Sequence, residues 1–283
     1  MSVAISPSRG SAQGRAEVVF ALGDDCGKAR VAHLYQSNPL RILFPKSASD
    51  ELTSAALVTT SGGLVGGDRL DVRIKAEKCA LALVHQQAAE KVYRSTGATS
   101  EISVTLKAEE QSWLEFLPQE TILFDHSKLD RCTTLDIASS AQVMAGEILV
   151  FGREAMGETY SHGSLREAWE IRRAGRLVWA DRLLVEDAVE EQLADPACFA
   201  GSRAVATLIY AGSHADGYLE QAREILEHVP AERFGATSME GLLILRWLDR
   251  DVLRLRASYG AFWASFRNLV AGLPNRLPRL WYI

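Results

Sequence analysis

The 283-residue chain has neither a cysteine cluster nor a histidine cluster. Cys26, Cys79, Cys132 and Cys198 stand more than fifty residues apart, which excludes the paired spacing of a zinc site and the density of a disulfide scaffold. No two of the six histidines lie three to five residues apart, so no helical metal pair can form, and any metal contact must be assembled by the fold. No stretch approaches the roughly 18 uncharged apolar residues that would span a membrane. A basic excess is missing too. With 31 Lys+Arg against 36 Asp+Glu the formal charge is −5, which argues against a general nucleic-acid binder. What is present, 47% hydrophobic and 24% charged residues, suits a globular chain able to bury a sizeable core. Residues 1–15, rich in Ser, Gly, Ala and Arg, have no apolar centre. They read as a flexible leader rather than a secretory signal, ahead of one large domain over 16–283 in a soluble, cytoplasmic protein.

Strand patterns dominate the first two thirds. Leu70–Lys75 and Glu101–Lys107 alternate apolar and polar residues with period two, which predicts half-buried strands. Cys79–His85 is a mostly apolar run of strand length, as expected where both faces are buried. Ala55–Thr60, Thr121–Phe124, Thr133–Ala138, Arg176–Val185 and Arg203–Tyr210 are further candidates, with turn residues such as Gly66-Gly67-Asp68, Gly97 and Gly175 between them. The lack of alternating long helices argues against a doubly wound sheet. No fixed-period repeat stands out, although a coiled sheet need not show one.

The last quarter is helical, basic and aromatic. Asp216–Glu227 has helix-forming composition, with Asp216 as the expected N-cap and Pro230 beyond the end. Val252, Leu255, Tyr259, Phe262, Phe266 and Leu269 recur at steps of three and four, an apolar helical stripe that Trp263 and Val270 widen and Gly272 and Pro274 stop. Residues 246–283 hold seven arginines, two aspartates and no Lys or Glu. The tail therefore carries +5 and the rest of the chain −10, with an acidic cluster at Glu186, Asp187, Glu190, Glu191 and Asp195. Arginine with aromatics (Trp247, Trp263 and Trp281 lie in this tail) is the composition of a contact surface, while a stripe packed on the chain's own sheet is the plainer alternative.

Chemistry-bearing motifs are sparse. Thr59–Asp68 carries four glycines in six positions, which could cradle an anion through backbone N–H groups. It has neither the Lys-Ser/Thr ending of a phosphate loop nor a dinucleotide spacing, and a tight connection between strands explains it without a ligand. Gln86–Arg94 and Trp113–Thr121 mix apolar anchors with Gln, Glu and Tyr at strand ends. Glu147 and Glu158 sit beside glycines, so a β-rich hydrolase using paired carboxylates is conceivable. No nucleophile elbow or His-Glu-x-x-His accompanies them.

Six segments taken in order resemble the urease accessory protein family UreD, called UreH in some systems. They are Arg41–Pro45, Thr60–Asp68, Gln87–Ser95, Trp113–Phe124, Glu147–Arg153 with Gly157-Glu158, and Pro278–Trp281. Two positions depart from the family pattern: Glu90, where a small hydroxyl residue is expected, and Phe151, where Leu is usual. The resemblance implies a mainly β fold, a β-helical stack of two sheets in one large domain with a few helices, two of them near the C-terminus. It also implies a scaffold rather than an enzyme, working with UreF, the GTPase UreG and urease apoprotein while nickel is in transit, with no permanently bound cofactor. A passage for Ni²⁺ needs several weak oxygen or single-imidazole contacts, because a tight tetrad would trap the ion. On that expectation Asp68, Glu90, Glu147 and Glu158 are candidate lining groups, and Arg254, Arg267, Trp263, Phe266 and Trp281 are candidate partner-binding residues.

Overall fold

A computed structural model describes residues 10–23, 28–46, 48–212 and 214–282, without the side chain of Glu154. Residues 1–9 and Cys26 lie outside the described residues, and Gln13–Arg15, assigned above to the leader, begin the first strand. In chain order the strands are β1 (Gln13–Leu22), β2 (Ala29–Gln36), β3 (Leu40–Leu43), β4 (Thr53–Thr59), β5 (Arg69–Ala76), β6 (Leu81–Gln86), β7 (Glu90–Val92), β8 (Ser100–Ala108) and β9 (Trp113–Leu117). They continue with β10 (Glu120–Leu123), β11 (Lys128–Ile137), β12 (Gln142–Phe151), β13 (Ser164–Arg173), β14 (Arg176–Glu186), β15 (Ala204–Ala211), β16 (Arg233–Met239) and β17 (Leu242–Asp249). Three α-helices are described: α1 (Val189–Ala194), α2 (Leu219–Glu227) and α3 (Val252–Ala271).

The alternating segments build the outer sheet, in the order β14-β13-β11-β8-β5-β1-β2. In β5, Leu70, Val72, Ile74 and Ala76 point inward while Arg69, Asp71, Arg73 and Lys75 meet water or ion-pair partners. The inner sheet runs β16-β17-β15-β12-β9-β6-β4-β3, with β10 and β7 beside β12. Its central strands, β6, β9, β12, β15 and β17, are largely buried on both faces because one face packs on the outer sheet and the other on the helices. Between β4 and β13 the chain changes sheet almost every strand and pairs parallel to its previous turn, which makes the molecule a mainly β solenoid. Matching residues follow Ile74, Leu106, Leu135 and Ile171, steps of 32, 29 and 36. The uneven step hides the repeat from a fixed-period search.

Antiparallel pairs close the stack: β1–β2 and β3–β4 at one end, β13–β14 and β12–β15–β17–β16 at the other. Helix α3 lies on the inner sheet as its stripe predicts, with Leu255, Tyr259, Phe262, Trp263 and Phe266 buried, although Leu269 stays exposed. The Asp251 carboxylate accepts from the Arg254 N–H at its start, and Gly272 ends it with a left-handed φ of 63°. The expected cap at Asp216 is corrected. That residue lies inside a 3₁₀ turn, Ala215–Tyr218, and α2 starts at Leu219 without a side-chain cap.

Candidate functional site

Strand alternation delivers an unusual set of groups between the sheets. In β11 the inward phase is Leu129, Arg131, Thr133, Leu135, so a guanidinium takes a place meant for an apolar side chain. Glu167 enters from β13 between Leu165 and Trp169, and Glu147 faces them from β12. Arg131 donates from Nη2 to Glu147 Oε2 at 2.6 Å, from Nε to Glu167 Oε2 at 2.7 Å and from Nη1 to Thr121 Oγ1 at 2.9 Å. Trp169 Nε1 donates to the other Glu147 oxygen at 3.0 Å. Burial pushes Glu167 well above the usual carboxylate range; Arg131 opposes this and the nearby Glu147 charge reinforces it.

Register brings Glu90 to the same place. Its strand β7 lies beside β10, which aligns Glu90 with Thr121. Thr59 Oγ1 donates to Glu90 Oε2 at 2.5 Å. Burial raises Glu90 from the ordinary carboxylate value, against the opposing hydrogen bonds from Thr59 and the Lys91 backbone. Glu90, Glu147 and Arg131, with Thr59, Thr121 and Thr133, line a cavity of about 40 Å³ between the two sheets. That is room for a water or a small ion among oxygen donors.

The other two candidate carboxylates lie elsewhere. Asp68 accepts from the Ala12 and Val65 N–H groups at 2.7 and 2.9 Å, so it clamps the glycine-rich connection between β4 and β5. Glu158 Oε2 takes Arg153 Nε at 2.5 Å, and that guanidinium lies 3.9 Å over the Phe124 ring. Glu158 is not among the residues lining the cavity that Glu147 lines, so the carboxylate pair a hydrolase would need is not assembled.

Four of the five tail candidates are turned inward. Arg267 is fully buried, donating to Glu115 Oε1 at 3.0 Å and to both oxygens of Glu51 at 2.7 and 3.2 Å. Trp263 Nε1 donates to Glu115 Oε2 at 2.8 Å, and Phe266 packs against Tyr210 and Phe262. Trp281 donates to the Pro118 carbonyl beneath the Arg256 guanidinium. These side chains are spent on the chain's own core, and the reading of the stripe as a contact face is corrected accordingly.

A family model described as UreD urease accessory protein matches residues 12–282. The chain belongs to the UreD family. It is 44% identical over 261 residues to the urease accessory protein UreD of Magnetococcus marinus, covering 91% of this chain and 90% of that protein. With the UreD of Azorhizobium caulinodans it shares 38% over 276 residues, 98% of each. A UreD-family protein is an accessory factor, and the hydrolase reading is set aside on that ground.

In this UreD-family chain, Arg254 is the one tail candidate that reaches the surface. It pairs with Asp249 at 2.6 Å and Glu232 at 3.3 Å, and borders a groove of about 820 Å³. The groove floor includes Ile122, Val150 and Val252, and its rim carries Met156 and Leu253, 74% and 76% exposed. Sequence reasoning passed over Arg131, Glu167 and Glu115. The signal for Arg131 and Glu167 was a charged residue on the apolar phase of an alternating strand. Glu115, inside Trp113–Leu117 where every residue is buried, left no such mark. Among the described residues no helix is long and apolar enough to cross a membrane.

Proposed function

We propose that the chain is a cytoplasmic scaffold of urease maturation which, with UreF and the GTPase UreG, docks on urease apoprotein and helps pass nickel into its active site. The observation that carries this reading is the cavity between the sheets, where Glu90 and Glu147 come together among threonine hydroxyls. Carboxylate and hydroxyl oxygens hold a borderline divalent ion loosely. Arg131, already paired with Glu147, competes with any ion that arrives there. Glu90, which burial inclines to keep its proton, can exchange that proton for the passing cation. Weak sites of this kind let an ion enter and leave. Asp68 and Glu158, engaged in their own contacts, serve the passage only by holding its walls. The arginine-rimmed groove beside Arg254 takes over from the buried stripe as the face for UreF. The test is urease activation in the reconstituted complex with Glu90→Gln and Glu147→Gln. A loss of severalfold or more, with assembly intact, is expected, and full activation by both variants would exclude the cavity as the path.

A further inference from the structure

The coil step from β11 to β13 places two loops side by side at one end of the solenoid. His126 follows β10 and His162 precedes β13, 36 positions apart in sequence, yet their rings stack with centroids 4.6 Å apart and planes 5° from parallel. The backbone locks the loops together, with the His126 N–H donating to the His162 carbonyl at 2.8 Å and the Ser164 N–H to the Ser127 carbonyl at 3.0 Å. His126 is held at φ 64°, a conformation few side chains other than Asn, Asp and His adopt readily. Asp125 lies against both rings. Its Oδ1 accepts from the Ser161 N–H at 2.9 Å, the Ser161 hydroxyl at 3.1 Å and the His162 N–H at 2.8 Å. Its Oδ2 faces His126 Nε2 at 3.3 Å.

We infer that Asp125, His126 and His162 form a surface site for a borderline divalent cation. One donor atom from each lies within 4.8 Å of the other two. Around an ion with bonds of about 2.0–2.2 Å, neighbouring donors stand roughly 3–3.5 Å apart. The Asp125–His126 pair already has that spacing, and His162 Nδ1, 3.8 Å from Asp125 Oδ1 and 3.0 Å from the Ser161 hydroxyl, joins it when the largely exposed ring turns away from that hydroxyl. The hydrogen bonds to Oδ1 fix the carboxylate while leaving Oδ2 to the ion, the outer support that protein metal sites require. Two imidazoles and a carboxylate select nickel, zinc or copper over magnesium or calcium. Three protein donors leave coordination positions for water or for a donor from a delivering protein, so the ion can be handed on. His162 also borders a groove with Asp187, Glu190 and Glu191, whose negative charge raises the local cation concentration. The acidic cluster noted in the sequence thereby gains a position beside the donors. The site stands on this geometry; its assignment to nickel rests on the maturation role proposed above.

The test is Ni²⁺ titrated calorimetrically into the purified full-length chain, wild type against Asp125→Asn and the double variant His126→Ala/His162→Ala. The expected result is one site weakened about tenfold by the first change and abolished by the second. Unchanged affinity in the double variant overturns the assignment. Should the variants unfold, diethyl pyrocarbonate labelling of the wild type read by mass spectrometry decides. Ni²⁺ should slow modification of His126 and His162 at least severalfold while exposed His33 and His228 react as before, and the absence of such protection overturns the site. Urease activation by the wild type is scored separately. Activation without protection removes the cation site alone, whereas protection without activation supports the site and removes the maturation role.

Discussion

Arg267→Met should be among the most damaging single changes in the helical layer. The guanidinium is fully buried and joins α3 to two carboxylates, Glu115 on β9 and Glu51 before β4, as well as to the carbonyls of Pro274 and Arg276. Methionine replaces the aliphatic stem but leaves Glu115, itself fully buried, without its cation. Removing one partner of a buried pair costs about 3–5 kcal/mol. The carbonyls that lose a donor add to this, while the indole N–H groups of Trp113 and Trp263, which remain on Glu115 at 2.9 and 2.8 Å, offset part of it. At roughly 2–4 °C per kcal/mol for a chain of this size, the melting temperature should drop by roughly 6–20 °C. Urea unfolding followed by tryptophan fluorescence reads the same loss as a lower midpoint at unchanged slope. Adding Glu115→Gln removes the orphaned charge and should restore at least a third of the loss, closing a double-mutant cycle. A cost below about 1 kcal/mol, or a double variant weaker than Arg267→Met alone, would refute the argument that the pair is energetically coupled.

Two further outcomes follow from the geometry between and behind the sheets. Glu90 has its folded value raised by burial, so its contribution to stability is fully present below the unfolded value and is lost as pH rises through the folded one. Glu90→Gln should therefore gain on the wild type as pH rises from about 4.5 to 8, by about 1.4 kcal/mol for each unit of the shift, and an opposite trend in denaturation midpoints would contradict it. Gly146→Ala should cost about 1–3 kcal/mol or more, because an added Cβ would stand 2.1 Å from the Tyr259 hydroxyl and 2.6 Å from the Thr207 carbonyl. A melting temperature unchanged by that substitution would mean that α3 is not seated on β12 as described.

The outer sheet was legible because it has one wet face: Arg69, Asp71, Arg73 and Lys75 mark the outward phase of β5, and the inward phase follows. The inner strands gave only apolar runs, since helices cover what would otherwise be their polar side. Helix α3 was readable from its stripe and from Gly272, but not the fact that Arg267 lies within the buried face, because a basic residue on an amphipathic helix ordinarily marks the solvent side. Asp216 misled because a 3₁₀ turn and an α-helix share the same local composition. The cavity was out of reach of motif reasoning, as its carboxylates come from β7 and β12 and meet only through strand pairing. His126 and His162 are the clearest case, distant in sequence and adjacent after one coil. Dispersed histidines did not imply separated ones.

The three-way contact of Arg131 also acts as an alignment key. A solenoid of stacked strands can slip, since shifting one coil by a single residue keeps most backbone hydrogen bonds while exchanging the faces of every side chain. Aliphatic layers resist such a slip only in proportion to the area they lose. Arg131, Thr121, Glu147 and Glu167 lie on four different strands, and only one offset lets a single guanidinium reach all three partners. Every other offset strands a charge between the sheets, which makes misaligned coils costly out of proportion to the few residues involved. Replacing the cluster with well-packed hydrophobics would then leave the stack as stable as before and less certain of its own register.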